Sequence, residues 1–436
     1  MIRRVAPALT WGLLLLGFPA GVQAQDTLSL SQLQGFALSS DPRAGQLELL
    51  RSASELRQAA IGSERLPQLG INARASHQSD ITSPADVFPG GGFPTLPRDR
   101  WETTLDLEQL LYDGGDISRR RELERAREAE AAAGVGVALY GLRSEVNNAF
   151  FSAFLLQQRA LELQALVGDL DARLAAVRAR VEAGTALGRD AAEIEAERVR
   201  ATLDRDEAVS ARRASLAVLS DLANRTIDTS AVLVLPAEEP EKRQPMTPAA
   251  LADLQQRPEF EQFHRTRLRL EREAAVSRSE NSPRISAFGE GGVGRPGLDQ
   301  FRTTSDWFWQ AGIRLQWRPW TWRSAGRKAE ALRQEQQVVQ TEERALARRL
   351  ARAVATNLED IQRLSRALAQ DQQVIALRTE IERQARAQFD EGTITTADYV
   401  ESRTNVLDAR LTLQRHRVEL AQARAAYLTT LGLAPR

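Results

Sequence analysis

The chain has 436 residues, more than one ordinary domain uses, with 58 basic and 58 acidic side chains and a formal net charge of zero. That balance excludes a large single-sign field of the kind that gathers nucleic acid or an acidic substrate. No cysteine is present, which excludes disulfides, thiolate metal sites, a thiol nucleophile and a lipid-anchoring cysteine.

Residues 1–24 read as a signal peptide. Arg3 and Arg4 form the charged segment, TWGLLLLGFPAG is an apolar run too short to be a retained membrane helix, and Val22-Gln23-Ala24 supplies the cleavage site, so the exported chain begins at Gln25. No apolar run of about 20 residues follows. A mature chain that enters a membrane must therefore do so with strands.

Residues 25–224 form a first repeat. Asp41-Pro42 opens a helical stretch that ends at Leu66-Pro67. Two strands follow, at about 66–78 (LPQLGINARASHQ) and 101–112 (WETTLDLEQLLY), separated by a Pro- and Gly-rich loop. A helix is expected from Gly115 to Glu182, rich in Ala, Arg, Glu, Leu and Gln and free of proline. At 1.5 Å per residue it spans about 100 Å, too long for one globular domain. Leu163, Leu166, Leu170, Leu174, Val177 and Val181 recur at spacings of three and four, as in a coiled coil. EAGTALGRD then interrupts the helical pattern near Gly184 before a return helix.

Residues 225–246 are a Pro- and Glu-rich linker, and residues 247–436 repeat the plan. Arg257-Pro258 to Ser282-Pro283 matches the first helical stretch, with 25 residues from proline to proline in both. Strands are expected at about 283–293 and 306–322, then a helix from Arg323 to Asp390, a break at DEGTITTAD near Gly392, and a return helix. Its seam reads Val400, Thr404, Leu407, Leu411, Gln414, Val418, Ala421, Ala425 and Leu428. Tyr112 to Gly184 and Trp320 to Gly392 are each 72 residues. Only the loops between strands differ in length, as duplication predicts. The glycines suit a helix end needing positive φ, and the threonines after them are candidates to cap the return helices. The two breaks thus read as the tips of antiparallel helical hairpins.

Of seven tryptophans, one lies in the signal peptide and the others are Trp101, Trp307, Trp309, Trp317, Trp320 and Trp322, all in or beside the strands. With Tyr112 they are candidate membrane-interface aromatics. Trp307 and Trp317 are separated by roughly 33 Å of extended chain. The competing reading is a soluble sandwich with indoles in its core. If the strands are lipid-facing, four cannot close a barrel, and lipid tolerates no open edge, so several copies must contribute. Twelve strands from three chains is a suitable size.

GEGGVG at 289–294 matches a dinucleotide-binding pattern, but Arg295-Pro296-Gly297 follows where a helix should start, so it reads as a loop or strand end. His77, His264 and His416 lie in unrelated contexts. No metal triad and no catalytic constellation is found, and no cofactor is expected. The run of arginines and glutamates at 121–130 reads as a solvated helix face with i,i+4 pairing.

The order and duplicated spacing of Asp41-Pro42, LPQL at 66–69, LLYDGG at 110–115 and the two glycine breaks resemble the TolC-like outer-membrane efflux protein family. GTITTADYVESRTNVLDAR at 392–410 is especially typical. The resemblance covers nearly the whole mature chain. It implies an α+β membrane protein with two internal repeats, a long helical coiled-coil barrel in the periplasm, and a transmembrane β-barrel of four strands per chain completed by trimerisation. It implies an outer-membrane channel that exports substrates as part of a tripartite efflux or secretion system, with a periplasmic adaptor, an inner-membrane pump and outer-membrane lipid as partners. By the same resemblance the periplasmic gate candidates are Asp190, Asp398, Glu401 and Phe389, with Ile394 in place of an arginine. The adaptor would face Gly184, Thr185, Ala186 and Leu187 on one tip and Gly392, Thr393, Ile394 and Thr395 on the other. Read physically, three copies of each carboxylate around an axis attract cations. Asp190 and Asp398 also suit a helix N-terminus on their own account. The alternative to a channel is a soluble periplasmic coiled-coil adaptor or scaffold.

Overall fold

The computed structural model describes residues 27–81, 90, 97–236, 254–299 and 304–433. The signal peptide, most of the first strand-connecting loop and the linker beyond residue 236 lie outside them. Among the described residues, seven helices and six strands run in the order β1 (Thr27–Ser29), α1 (Leu30–Ser40), α2 (Gln46–Ser63), β2 (Gln68–His77), β3 (Asp99–Tyr112), α3 (Asp116–Glu182), α4 (Gly188–Leu222), β4 (Val232–Val234), α5 (Pro258–Ser279), β5 (Arg284–Arg295), β6 (Asp306–Gln316), α6 (Ser324–Asp390) and α7 (Thr396–Leu431). A short 3-10 turn, Pro42–Gly45, precedes α2.

Helices α3 and α6, 67 residues each, run the full length of the helical part. Toward the sheet, α2 packs on α3, α3 on α5 and α5 on α6; toward the tips, α4 packs on α3, α3 on α7 and α7 on α6. The wall is thus four helices wide at both levels, with α2 or α4 on one flank and α6 on the other. The predicted α3 seam is buried from Leu163 to Val177, and Val181 is half-buried. The α7 seam is broader than its period suggested. Val418 and Ala425 meet α3 and α4, while Leu420, Tyr427 and Leu431 meet α6. A helix inside a wall has neighbours on two sides, so one stripe cannot serve both.

The charged run at 121–130 is not simply solvated. Glu124 is buried and bonds to Arg57 of α2, while Glu122 and Glu130 pair with Arg272 and Arg269 of α5 at 3.1 and 2.5 Å. These links cross between helices, which i,i+4 reasoning does not reach. Midway along the wall, β1 pairs in parallel with β4, which lies within the linker. Phe150, Phe151 and Phe154 fill the core beneath, with Leu30, Leu33, Leu216, Leu219 and Leu233.

The other four strands form one antiparallel sheet in the order β2-β3-β5-β6. The glycine-rich GEGGVG at 289–294 is strand, the second half of β5 up to its last residue but one. An added Cβ at Gly292 would sit 2.5 Å from the Thr103 carbonyl oxygen, so a bare backbone lets β3 approach there. Strand β6 stops at Gln316, short of the expected 322, and Trp320 and Trp322 lie in the turn before α6.

Candidate functional site: the hairpin tips and the two-faced sheet

Both tips end in the same backbone device. Gly184 and Gly392 take φ of +74° and +73°. The Thr185 amide donates to the Arg180 carbonyl at 2.8 Å, and the Thr393 amide to Gln388 at 2.9 Å, the paired closure of a left-handed helix end. The Thr185 and Thr393 hydroxyls donate back to the same carbonyls. They therefore close the outgoing helices and do not cap the return helices, as their position after the glycine had suggested. In the second tip the cap is Thr395, whose hydroxyl accepts the Asp398 amide at 3.2 Å, while Asp398 accepts the Thr395 amide at 3.0 Å. In the first tip Leu187 cannot cap, and only the reverse bond remains, from the Leu187 amide to Asp190 at 3.0 Å.

The gate candidates come together at this end, in different roles. Asp190 reaches across to the second tip, accepting the Thr396 hydroxyl at 2.9 Å. Asp398 stays with its own cap, and the Thr395 bonds hold its carboxyl below the usual aspartate range. Glu401 is exposed one turn further along α7. Phe389 is buried, stacked on Tyr399 with ring centroids 5.2 Å apart, and Ile394 packs against the same cluster. Gly184, Thr185, Leu187, Gly392, Thr393 and Thr395 are exposed, and Ala186 is half-buried.

The residues that bind the two hairpins to each other were not singled out by the sequence. Arg173 of α3 donates to Asp390 at 3.0 Å and to the Tyr399 hydroxyl at 3.2 Å, with its guanidinium 4.8 Å from the Tyr399 ring centre. Burial opposes its charge, but the Tyr399 hydroxyl and the carboxylates of Asp390 and Asp169 outweigh that and raise its pKa. Arg403 of α7 donates to Asp169 of α3 at 2.9 Å. The partners are more than 200 residues apart in sequence, so no local pattern announces them.

The sheet has one apolar and one polar face. The register places Leu69, Ile71, Trp101, Leu105, Leu107, Val293, Trp307, Trp309, Ile313 and Leu315 on one side. Asn72, Arg74, Glu102, Asp106, Glu108, Glu290, Gln310 and Arg314 occupy the other. The apolar side chains are exposed, Ile71 by 76% and Ile313 by 72%. Trp101, Tyr112, Trp307, Trp309, Trp317, Trp320 and Trp322 are exposed too, so the sandwich-core reading fails. Trp101, Trp307 and Trp309 lie at or near the loop end of the sheet, and Tyr112, Trp317, Trp320 and Trp322 at the helix end. Strands β2 and β6 each leave one edge unpaired among the described residues.

His416 meets Asp371 at 2.6 Å between α6 and α7, and His77 meets Asp99 at 2.7 Å on the sheet. Among the described residues no group of three or more acidic or histidine side chains could hold a metal, and no helix is long and apolar enough to cross a membrane.

No protein-family model and no curated protein matches the sequence. Solved structures do. CusC, whose crystal structures follow folding and transmembrane channel formation, aligns over 99% of this chain and 100% of its own, with a TM-score of 0.72 and 15% identity. The outer-membrane channel OprN aligns over 92% and 89%, at 0.67 and 18%. The open state of the MtrE outer-membrane channel of Neisseria gonorrhoeae aligns over 93% and 89%, at 0.65 and 18%. Over nearly its entire length, the chain has the fold of these outer-membrane channels.

Proposed function

We propose that three copies of the chain form an outer-membrane channel that carries substrates from the periplasm to the exterior. The observation that carries this reading is the sheet: an exposed apolar face, a polar opposite face and two open edges. Lipid is the solvent that suits the first, a water-filled lumen suits the second, and neighbouring copies satisfy the third. A soluble adaptor would have no use for an exposed apolar sheet. The helical walls then form a periplasmic duct, with the tips directed at an adaptor and an inner-membrane pump. Asp190, Asp398 and Glu401 line its entrance as carboxylate rings. The bonds of Arg173 and Arg403, with Phe389 stacked inside, hold the two hairpins of each copy together at that entrance.

The test is reconstitution of the purified mature chain into planar bilayers. Stable conductance steps are expected, together with threefold particles carrying a helical extension of about 100 Å in electron micrographs. A monomer that stays in solution without detergent and conducts nothing would overturn the reading.

A further inference from the structure

From the second strand onward the repeats align at an offset of 208, which matches Gly114 and Gly115 with Trp322 and Arg323. Both pairs take left-handed backbone. φ is +64° and +83° at the glycines, and 51° and 61° at Trp322 and Arg323. Glycine adopts this conformation freely; residues with a Cβ do so under strain that something must over-determine. Backbone closes the turn, the Ser324 amide donating to the Thr321 carbonyl at 2.9 Å, but among the described residues neither side chain adds a hydrogen bond or ion pair to hold the conformation. Trp322 is 78% exposed, and its ring contact is an edge-on approach to the equally exposed Trp320. Arg323 is exposed and forms no side-chain cap.

Charge separates the two turns as well. Asp113 accepts the Gly115 and Ile117 amides in the first repeat, at 2.9 and 2.8 Å. Its counterpart is Thr321, whose hydroxyl donates to Asn281 at 3.0 Å. Residues 317–328, WRPWTWRSAGRK, hold four basic side chains and no acidic one. Lys328 pairs with Glu280 at 2.8 Å. Arg318, Arg323 and Arg327 are exposed and have no ion-pair partner among the described residues. Trp317 continues the apolar face one step beyond Leu315, so the turn sits at the helix-side rim of the apolar belt.

We propose that this β6–α6 turn is a docking surface for anionic phospholipid headgroups, one per copy, with Trp317, Trp320 and Trp322 at the acyl boundary and Arg318, Arg323 and Arg327 on the phosphates. The proposal rests on the outer-membrane reading above. Indoles favour the boundary between hydrocarbon and headgroup, and arginine forks match phosphate oxygens. Bound lipid adds the side-chain compensation for the left-handed Trp322 and Arg323 that the described residues do not supply. The equivalent β3–α3 stretch, residues 109–120, sets Asp113 and Asp116 against Arg119 and Arg120 and so offers the same headgroups no net positive charge.

The experiment places the full trimer in nanodiscs of phosphatidylcholine, with or without phosphatidylglycerol, and measures by native mass spectrometry the lipid retained on release. Wild type should retain phosphatidylglycerol preferentially. Removing the arginines (R318Q/R323Q/R327Q) should weaken retention about fivefold for each. Restoring the glycine pair (W322G/R323G) should act with opposite signs: a higher melting temperature in neutral detergent, and lower phosphatidylglycerol retention. Equal retention by wild type and both variants, with conductance intact, overturns this proposal alone, as does a W322G/R323G variant that melts no higher than wild type. A wild type that enters neither nanodisc overturns the outer-membrane reading and this proposal with it.

Discussion

Arg173 joins three groups from two other helices: the Asp390 carboxylate, the Tyr399 hydroxyl and the stacked Phe389–Tyr399 rings. Its side chain is 12% exposed, so these contacts are weakly screened, whereas Asp390 is half in water and loses little when left alone. Replacing Arg173 with Gln removes the cation–π contacts and the charged bonds, at a cost of roughly 1–3 kcal/mol to the joining of the two hairpins. Hydrogen exchange should quicken at residues 388–400 while the Phe150 core stays protected. Uniform exchange in both regions would show that Arg173 does not hold the hairpins together. Phe389 and Ile394 mark the limit of sequence reading at this scale. Phe389 was a gate candidate and Ile394 stands where the family resemblance implies an arginine, yet the polar bonds that join the hairpins lie at Arg173 and Arg403. Those arginines sit in long stretches rich in charge, where nothing distinguishes a clamp from a solvated side chain until the other hairpin is in view.

The first turn of α7 is held by the reciprocal bonds of Thr395 and Asp398. Because those bonds lower the carboxyl's pKa, ionised Asp398 stabilises this turn above the pKa of an unfolded aspartate, about 3.9. The contribution disappears as pH falls through the lower folded value. Pepsin should therefore cut wild type near residues 391–399 increasingly as pH drops below about 4, whereas D398A should already be open to cleavage above that range. Equal cleavage of both proteins at every pH would remove the cap from the account. The strands offer a paired test. An Ala at Gly292 must displace the Thr103 carbonyl and part β3 from β5, while Gly289 has nothing within 4 Å of an added Cβ. G292A should destabilise the sheet by about 1–3 kcal/mol, and G289A should leave its melting in detergent unchanged. These elements were largely legible. The 72-residue spacing set both tips, and the observed bounds of α3 and α6 differ from the expected ones by a residue. The β1–β4 pair was not, because three-residue strands some 200 residues apart carry no period of their own. The end of β6 was misread because the aromatic pattern runs on through Trp320 and Trp322 after the ladder has stopped.

As a whole, the chain is a strip with two unfinished long sides. One side presents α2, β2 and α4, and the other α6 and β6. Large apolar side chains are exposed on these flanks: Leu49 and Leu56 on α2, Val199 and Leu203 on α4, and Val374, Leu377 and Ile381 on α6. Leu203 follows the start of α4 by about as many residues as Leu377 precedes the end of α6, which sets both roughly 20 Å from the tips. In the trimer proposed above α4 of one copy would meet α6 of the next, and apolar patches at equal height on opposite flanks are what such a closed ring requires. Carboxylates at both positions would face one another across every such contact. L203E/L377E should therefore abolish the trimer, with light scattering in detergent giving the mass of one chain, while circular dichroism keeps the helix content of wild type. Both residues are exposed in the single chain, so the variant has no reason to unfold. A double variant that still assembles as a trimer would place the closing contact elsewhere on the strip.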